Sequence, residues 1–158
     1  EREFVSGLSE QSRYLRFFYR MHELTPAMLA RFTQIDYDRE MALVAVLGEH
    51  SPEAAIIGVA RYIGYPDKQS CEFALTVADA WQKKGLGHQL MLRLISIARD
   101  RGLEVMEGDV LAQNSKMLRL CAALDFQTLR NDKDLEVVIV RRELKAPGFS
   151  AGDLAQDR

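Results

Sequence analysis

Residues 82–87 read Gln82-Lys83-Lys84-Gly85-Leu86-Gly87, and this stretch decides the fold because of what lies on either side of it. An apolar segment from Cys71 to Val77 precedes it and predicts a β-strand. A segment with apolar residues every three or four positions follows it and predicts an amphipathic helix that ends near Gly102. A strand that turns into a helix in this way is typical of an α/β sheet that binds its ligand at the strand ends.

The turn itself has the properties of a phosphate site. Gly85 and Gly87 permit backbone conformations and a close approach that a side chain would prevent. The first N–H groups of the following helix lack partners within it and carry partial positive charge, which suits a pyrophosphate. Lys83 and Lys84 add formal positive charge. The spacing excludes a Walker loop and the three-glycine dinucleotide motif, and a merely flexible turn is the alternative.

The rest of the chain predicts a mixed sheet with helices packed on it. We expect strands at 14–19, 41–47, 56–63, 71–77, 105–111, 126–129 and 135–140, and helices at 26–32, from about 85 to 102 and at 115–124. One domain over residues 1–145 and a flexible tail over residues 146–158 complete the expected organisation.

Composition narrows the functional classes. The 158 residues suit one compact domain, and the formal charge of −2 argues against a nucleic-acid partner. No apolar run approaches the roughly 20 residues of a membrane span, and no secretory signal opens the chain. Cys71 and Cys121 lack metal-ligand spacing, so we expect no metal site and two reduced thiols in a cytoplasmic protein.

The motif at 82–87 resembles the Gln/Arg-x-x-Gly-x-Gly/Ala motif of the GNAT superfamily of N-acetyltransferases. In that family the motif binds the pyrophosphate of acetyl-CoA. The resemblance spans roughly residues 14–144 and includes Asn114-x-x-Met117 at a later strand-to-helix turn. It implies an acetyl-CoA-dependent acyltransferase of the GNAT fold, an α/β (α+β) architecture with a mixed, mostly antiparallel sheet of six to seven strands and about four helices.

The same resemblance implies which residues hold acetyl-CoA. They come from the strand end, the phosphate loop and the later helix. The expected residues are Leu75, Thr76, Val77, Gln82, Lys83, Lys84, Gly85, Leu86, Gly87, His88, Asn114, Met117 and Cys121. Asn114 also fits an ordinary helix N-cap. Cys121 stands where many members of the family have a tyrosine as general acid, so the donor of the proton to the leaving thiolate stays open.

A second resemblance concerns the acceptor. The segment at 31–42, together with Arg16-Phe17-Phe18, is similar to the acetyltransferase domain of bacterial Pat-type protein lysine acetyltransferases. This similarity implies a protein substrate that presents a lysine, with metabolic enzymes such as acetyl-CoA synthetase among the targets. In that group the domain is often fused behind a region similar to an acyl-CoA synthetase, which makes such a region a candidate partner in the native chain.

Glu72 is the candidate catalytic residue, because a carboxylate in an apolar strand costs several kcal/mol unless it is paired, hydrated or facing a cleft. Five residues of extended strand separate it from Val77, about 17 Å, which is comparable to the reach of the pantetheine arm of coenzyme A. A lysine has a pKa near 10.4, so only a few amines in ten thousand are neutral at pH 7 and a base is needed. In lysine-acetylating members of the family a glutamate at the matching position is the general base. A salt-bridged strand-edge glutamate is the alternative.

Two other functions stay open. One is a small-molecule amine N-acetyltransferase with the same cofactor, and the other is a non-catalytic acyl-CoA sensor that regulates a fused or partner domain. Glu72 argues against the sensor. An N–H group of Thr76 or Val77 is the candidate for stabilising the oxyanion during transfer.

Overall fold

A six-stranded sheet is the frame of the computed structural model, which describes residues 2–17 and 38–144. The strands are β1 (Glu40–Leu47), β2 (Ala55–Gly64), β3 (Ser70–Val77), β4 (Val105–Leu111), β5 (Gln127–Arg130) and β6 (Val137–Glu143). They lie in the order β1-β2-β3-β4-β6-β5. Only β3 and β4 are parallel, and the other neighbours are antiparallel. The predicted mixed, mostly antiparallel sheet is confirmed.

Helices cover both faces of the sheet. The described α-helices are α1 (Arg2–Ser6), α2 (Glu10–Phe17), α3 (Leu86–Asp100) and α4 (Ser115–Ala123), and a short 3-10 turn spans Asp79–Trp81. One stripe of α3 is buried in the main core: Leu90, Met91, Leu94, Ile95 and Ala98. A smaller cluster joins α1 to Val59 of β2, whereas the next residue, Ala60, belongs to the main core. Because neighbouring strand residues point to opposite faces, the two clusters lie on opposite sides of the sheet.

The alternation along β3 places the candidate base outside the core. Cys71, Phe73 and Leu75 are buried in the main core. The side chains between them face the other way, and Glu72 is exposed there. The one carboxylate of this apolar strand therefore lies on the face that carries α1 and α2.

The two parallel strands stay together over only three residues each. Ser70–Glu72 pairs with Val105–Glu107, and no β3–β4 pairing follows. The ring of Phe73 lies so close to Gly108 that a Cβ there would stand 2.8 Å from its Cε1 atom, so only glycine fits. Past this point the strands separate and leave an opening in the sheet.

The expected strand at 14–19 is wrong, because residues up to Phe17 belong to α2. Ser9 caps this helix, accepting a hydrogen bond from the N–H of Ser12 at 3.1 Å. The apolar side chains at 14, 15, 17 and 18 have the spacing of a helix face rather than the alternation of a strand. Residues 18 and 19, the helix expected at 26–32 and the tail expected at 146–158 lie outside the described residues.

The last strand begins and ends later than expected, because it spans Val137–Glu143 instead of residues 135–140. Asn131 Oδ1 accepts a hydrogen bond from the N–H of Lys133, and Asp134 Oδ1 accepts one from the N–H of Glu136. These two side-chain turns hold the chain in a reversal before the strand starts. The other expected strands and helices of the described residues agree with the structure within two residues.

Candidate functional site

A cavity of about 730 Å³ occupies the opening between β3 and β4. Its walls come from the whole second half of β3, from the loop at 82–88, from the start of α4 and from one side of α2. Its volume is in the range of pockets that enclose a small molecule or a cofactor. The strand end, the phosphate loop and the two helices thus meet at one site.

Most of the residues expected to form the site line this cavity. They are Glu72, Leu75, Thr76, Val77, Gln82, Lys83, Gly85, Gly87, His88, Asn114 and Met117. Asn114 is also the N-cap of α4, because its Oδ1 atom accepts a hydrogen bond from the N–H of Met117 at 3.2 Å. Both interpretations of Asn114 are therefore compatible with the structure.

Three of the expected residues are not part of the lining. Lys84 has its Nζ atom 5.0 Å from the ring centroid of Trp81, and Leu86 packs against the main core. Cys121 is buried in that core, and burial raises the pKa of its thiol to about 12. We therefore no longer expect Cys121 to contact the coenzyme or to donate a proton, because its thiol does not reach the cavity.

The phosphate loop has the backbone that its glycines suggested. Gly85 is the N-cap of α3 with a φ of +82°, and no side chain of residues 2–17 and 38–144 caps the first N–H groups of the helix. Nothing lies within 4 Å of the position that a Cβ of Gly85 would take. A Cβ on Gly87 would stand 3.3 Å from Leu75 Cδ2, so the loop lies close against β3. The open space over Gly85 and the uncapped amides form a cradle for an anion.

Gln82 uses its side chain inside the protein. Its Nε2 atom donates to the Val77 carbonyl at 3.1 Å and to Ser12 Oγ at 3.2 Å, and its Oε1 atom accepts from Lys116 Nζ at 3.0 Å. The side chain thus joins the end of β3 to α2 and α4. Gln82 supports the shape of the loop, and its contact with Lys116 brings a further cation to the cavity.

Asp79 attaches α2 to the wall of the cavity. Its Oδ2 atom accepts from the N–H of Ser9 at 3.0 Å, and its Oδ1 atom accepts from the hydroxyls of Ser9 and Ser12, both at 2.8 Å. Partial burial raises the pKa of Asp79, but these hydrogen bonds outweigh it and hold the pKa below its usual range. The sequence prediction missed this wall because it assigned a strand to the segment that forms α2.

The change Asp79→Asn is expected to destabilise the fold by about 1 kcal/mol, because an amide accepts fewer hydrogen bonds than a carboxylate and lacks its charge at the helix start. Urea unfolding measures the difference, with the exposed Asp132→Asn as the control. The depressed pKa means that the carboxylate stabilises the fold above the usual aspartate range and loses this effect as pH falls through the folded-state pKa. A difference between variant and parent that grows in acid would contradict this assignment.

The far end of the cavity is acidic. Glu72 and Glu107 are direct partners in the β3–β4 register, and Asp109 lines the cavity two residues further along β4. Partial burial, with the charges of Glu107 and Asp134, raises the pKa of Asp109. Asp109 was missed, although the signal that singled out Glu72, a carboxylate in an apolar strand, is present there too.

The phosphate-loop end of the cavity is cationic. Lys83 lies in the loop, and Lys116 and Arg119 lie on α4. His88, in the first turn of α3, adds a ring N–H donor. The cavity therefore has Lys83, Lys116 and Arg119 at the loop end, where the carboxylate of Asp79 is engaged by Ser9 and Ser12, and it has Glu72 and Asp109 at the other end. Such a site suits an anionic ligand bound at the loop end and a cationic ligand bound near Glu72, with the two in contact between these ends.

The sequence matches the model of the acetyltransferase (GNAT) family over residues 9–126, well over half of the chain. The chain belongs to the GNAT acetyltransferase family. Members of this family use acetyl-CoA, and this GNAT domain is an acetyltransferase.

Relatives of this GNAT domain agree in sequence and in fold. Acetyltransferase PA5475 of Pseudomonas aeruginosa is 38% identical over 144 residues, which cover 91% of this chain and 77% of that protein. The crystal structure of the GNAT domain of S. lividans PAT matches with a TM-score of 0.80 and 25% identity, over 89% of this chain and 81% of the other. The Salmonella typhimurium protein yncA, solved with its cofactor acetyl-CoA, matches with a TM-score of 0.51 and 26% identity, over 61% and 64%.

The residues of this GNAT domain fit the cofactor of its family. The space over Gly85 and the uncapped amides of α3 suit the pyrophosphate, and the opening along β3 suits an extended arm. Over residues 2–17 and 38–144, no group of three His, Cys, Asp or Glu side chains is arranged to hold a metal ion. In the same ranges, none of the helices has both the length and the apolar character needed to cross a membrane.

Proposed function

We propose that this GNAT domain transfers the acetyl group of acetyl-CoA to the ε-amino group of lysines in other proteins, with Glu72 as the general base. One observation carries the proposal. Glu72 is exposed at the point where β3 and β4 part, and it lines the same cavity as the phosphate loop at the other end of the strand. Transfer from a thioester to an amine needs a base near the thioester. A coenzyme whose phosphates lie at the loop and whose arm extends along β3 would bring its thioester close to Glu72.

Acetyl-CoA supplies an acetyl group activated as a thioester. The amides around Gly85 and the first turn of α3 would hold its phosphates, with Lys83 adding positive charge and His88 a ring N–H donor. Leu75 and Met117 give the cavity an apolar lining between its two charged ends.

Glu72 has a defined task at the acceptor end. It takes a proton from the lysine ammonium, directly or through one water, and leaves a neutral amine that can attack. Without help, reaching that neutral amine at pH 7 adds roughly 4–5 kcal/mol to the barrier. A positioned carboxylate removes much of this cost because it accepts the proton at the site of reaction.

The acidic end of the cavity supports a cationic acceptor. Glu72, Glu107 and Asp109 contribute negative charge there, and Arg141 lies beside Glu107, with its Nη1 atom 3.6 Å from Glu107 Oε2. The similarity of the 31–42 segment to Pat-type enzymes favours a protein over a small amine as the carrier of that cation. We propose a metabolic enzyme such as acetyl-CoA synthetase as the target, a cytoplasmic location, and a fused region similar to an acyl-CoA synthetase as a partner.

Asp109→Asn is expected to raise the KM for a lysine acceptor about threefold to tenfold, because it removes one negative charge from the acceptor end of a partly buried cavity. The KM for acetyl-CoA stays unchanged, since its phosphates are held at the opposite end. Steady-state kinetics with each substrate varied in turn measure both constants. An equal change in both KM values would contradict this division of the cavity.

Labelled acetyl-CoA incubated with a cell lysate tests the proposed acceptor. The expected result is label on lysines of a few proteins, located by mass spectrometry of their peptides, and its loss in a parallel reaction with the Glu72→Gln variant. Label found only in polyamines, amino acids or other small amines would overturn the protein substrate and favour the small-molecule activity. Label in neither fraction would also overturn the protein lysine as acceptor.

A further inference from the structure

Two cations of α4 stand beside the phosphate loop without a role in the function proposed above. Lys116 and Arg119 are exposed and line the cavity, three residues apart on one side of the helix. Residues at this spacing are neighbours on a helix surface, about 4.5 Å apart along its axis. Side chains from both can therefore converge on one ligand.

Lys116 is held at the loop by a neutral group. Its ammonium donates to Gln82 Oε1 at 3.0 Å, which uses one of its three N–H groups. Neither Lys116 nor Arg119 forms an ion pair with any described residue. Asp79 also lines this end of the cavity, but its carboxylate accepts hydrogen bonds from Ser9 and Ser12 and forms no ion pair with either cation. Glu72 and Asp109 lie at the other end, so the two positive charges are not neutralised by these carboxylates.

The phosphate loop is not enough to explain these two charges. Its uncapped amides and the start of α3 already provide donors for one pyrophosphate. Lys116 and Arg119 extend the cationic surface away from the loop along α4. A second, separate phosphate group on the same ligand would account for this extension, because a guanidinium and an ammonium together match a doubly charged oxyanion.

We propose that Lys116 and Arg119 form a subsite for a phosphomonoester dianion. On the basis of the proposed function, this group is the 3′-phosphate of coenzyme A. A phosphomonoester carries about −1.5 to −2 charges near pH 7, more than either phosphate of the pyrophosphate. The enzyme therefore distinguishes coenzyme A from its 3′-dephospho form.

Calorimetric titration with coenzyme A and with 3′-dephospho-coenzyme A, in the absence of any acceptor, tests the subsite. The parent domain is expected to bind coenzyme A about tenfold more tightly at low salt, as charge-assisted hydrogen bonds to one phosphate allow. Arg119→Ala is expected to reduce that ratio to about twofold by weakening coenzyme A alone. Arg93→Ala, an exposed arginine of α3 that does not line the cavity, is the matched control and leaves the ratio unchanged. Added salt narrows the ratio in the parent.

Two results would overturn the subsite. One is equal affinity of the parent for the two coenzymes, or an equal loss of both in Arg119→Ala. The other is an Arg119→Ala variant that keeps the affinity ratio of the parent for the two coenzymes but has a raised KM for a protein acceptor. That result would assign the two cations to binding an acidic surface of the acceptor protein. Because the titration uses no acceptor, failure of lysine transfer leaves its result intact, and failure of the subsite leaves the transfer assay intact.

Discussion

Glu72→Gln is expected to lower kcat about a hundredfold or more at pH 7, the range for losing a general base. The amide keeps the size of the side chain but cannot take a proton from the lysine ammonium. The affinity for acetyl-CoA stays the same, because the phosphate loop lies at the other end of β3. The loss also shrinks as the assay pH rises toward about 10, where the amine deprotonates without help.

Initial rates across pH, with acetyl-CoA affinity measured by calorimetry, test this expectation. Glu53→Gln, in the exposed turn between β1 and β2, is the matched control and keeps the parent rate. A Glu72→Gln variant with the parent kcat at pH 7 would remove Glu72 from the chemistry. Asp109 would then be the next carboxylate of the cavity to test.

Gly85→Ala is expected to weaken acetyl-CoA binding at least tenfold, and Gly102→Ala is not. The two glycines begin and end the same helix, both have a φ of +82°, and both have nothing within 4 Å of a built Cβ. Each substitution therefore costs a similar amount of folding free energy, about 1–2 kcal/mol for a left-handed alanine. Only the methyl group added at position 85 would stand in the cradle that the phosphates need.

Thermal unfolding and coenzyme titration of both variants separate the two effects. The expected result is two similar decreases in melting temperature with a decrease in affinity for one variant alone. Equal affinity in both would show that the ligand does not approach the backbone at residue 85. A loss of affinity in both would assign it to general destabilisation of α3.

The sequence was sufficient for the parts of the site that depend on neighbouring residues. The apolar segment at 71–77, the glycines of the loop and the stripe of α3 are all local patterns, and each led to the correct element. The N-cap at Asn114 was foreseen for the same reason.

The parts that were missed depend on residues far apart in sequence. The start of α2 is held by Asp79, 70 residues from Ser9, so no local window contains both partners. Lys116 reaches the loop through Gln82, 34 residues away. Cys121 was assigned by its position in a family pattern, whereas its burial depends on how α4 is rotated against the sheet. Tertiary packing decided each of these cases.

Ser12 has consequences for any shortened version of this protein. Its hydroxyl donates to Asp79 and accepts from Gln82, so one side chain links α2 to the 3-10 turn after β3 and to the start of the phosphate loop. A chain begun at residue 18 would retain every residue of the loop at 82–88, yet the carboxylate of Asp79 and the side-chain amide of Gln82 would both lose their hydrogen bond to Ser12. The residue at which such a protein is shortened for expression therefore decides whether the phosphate loop keeps its shape, even though α1 and α2 lie outside the motif at 82–87.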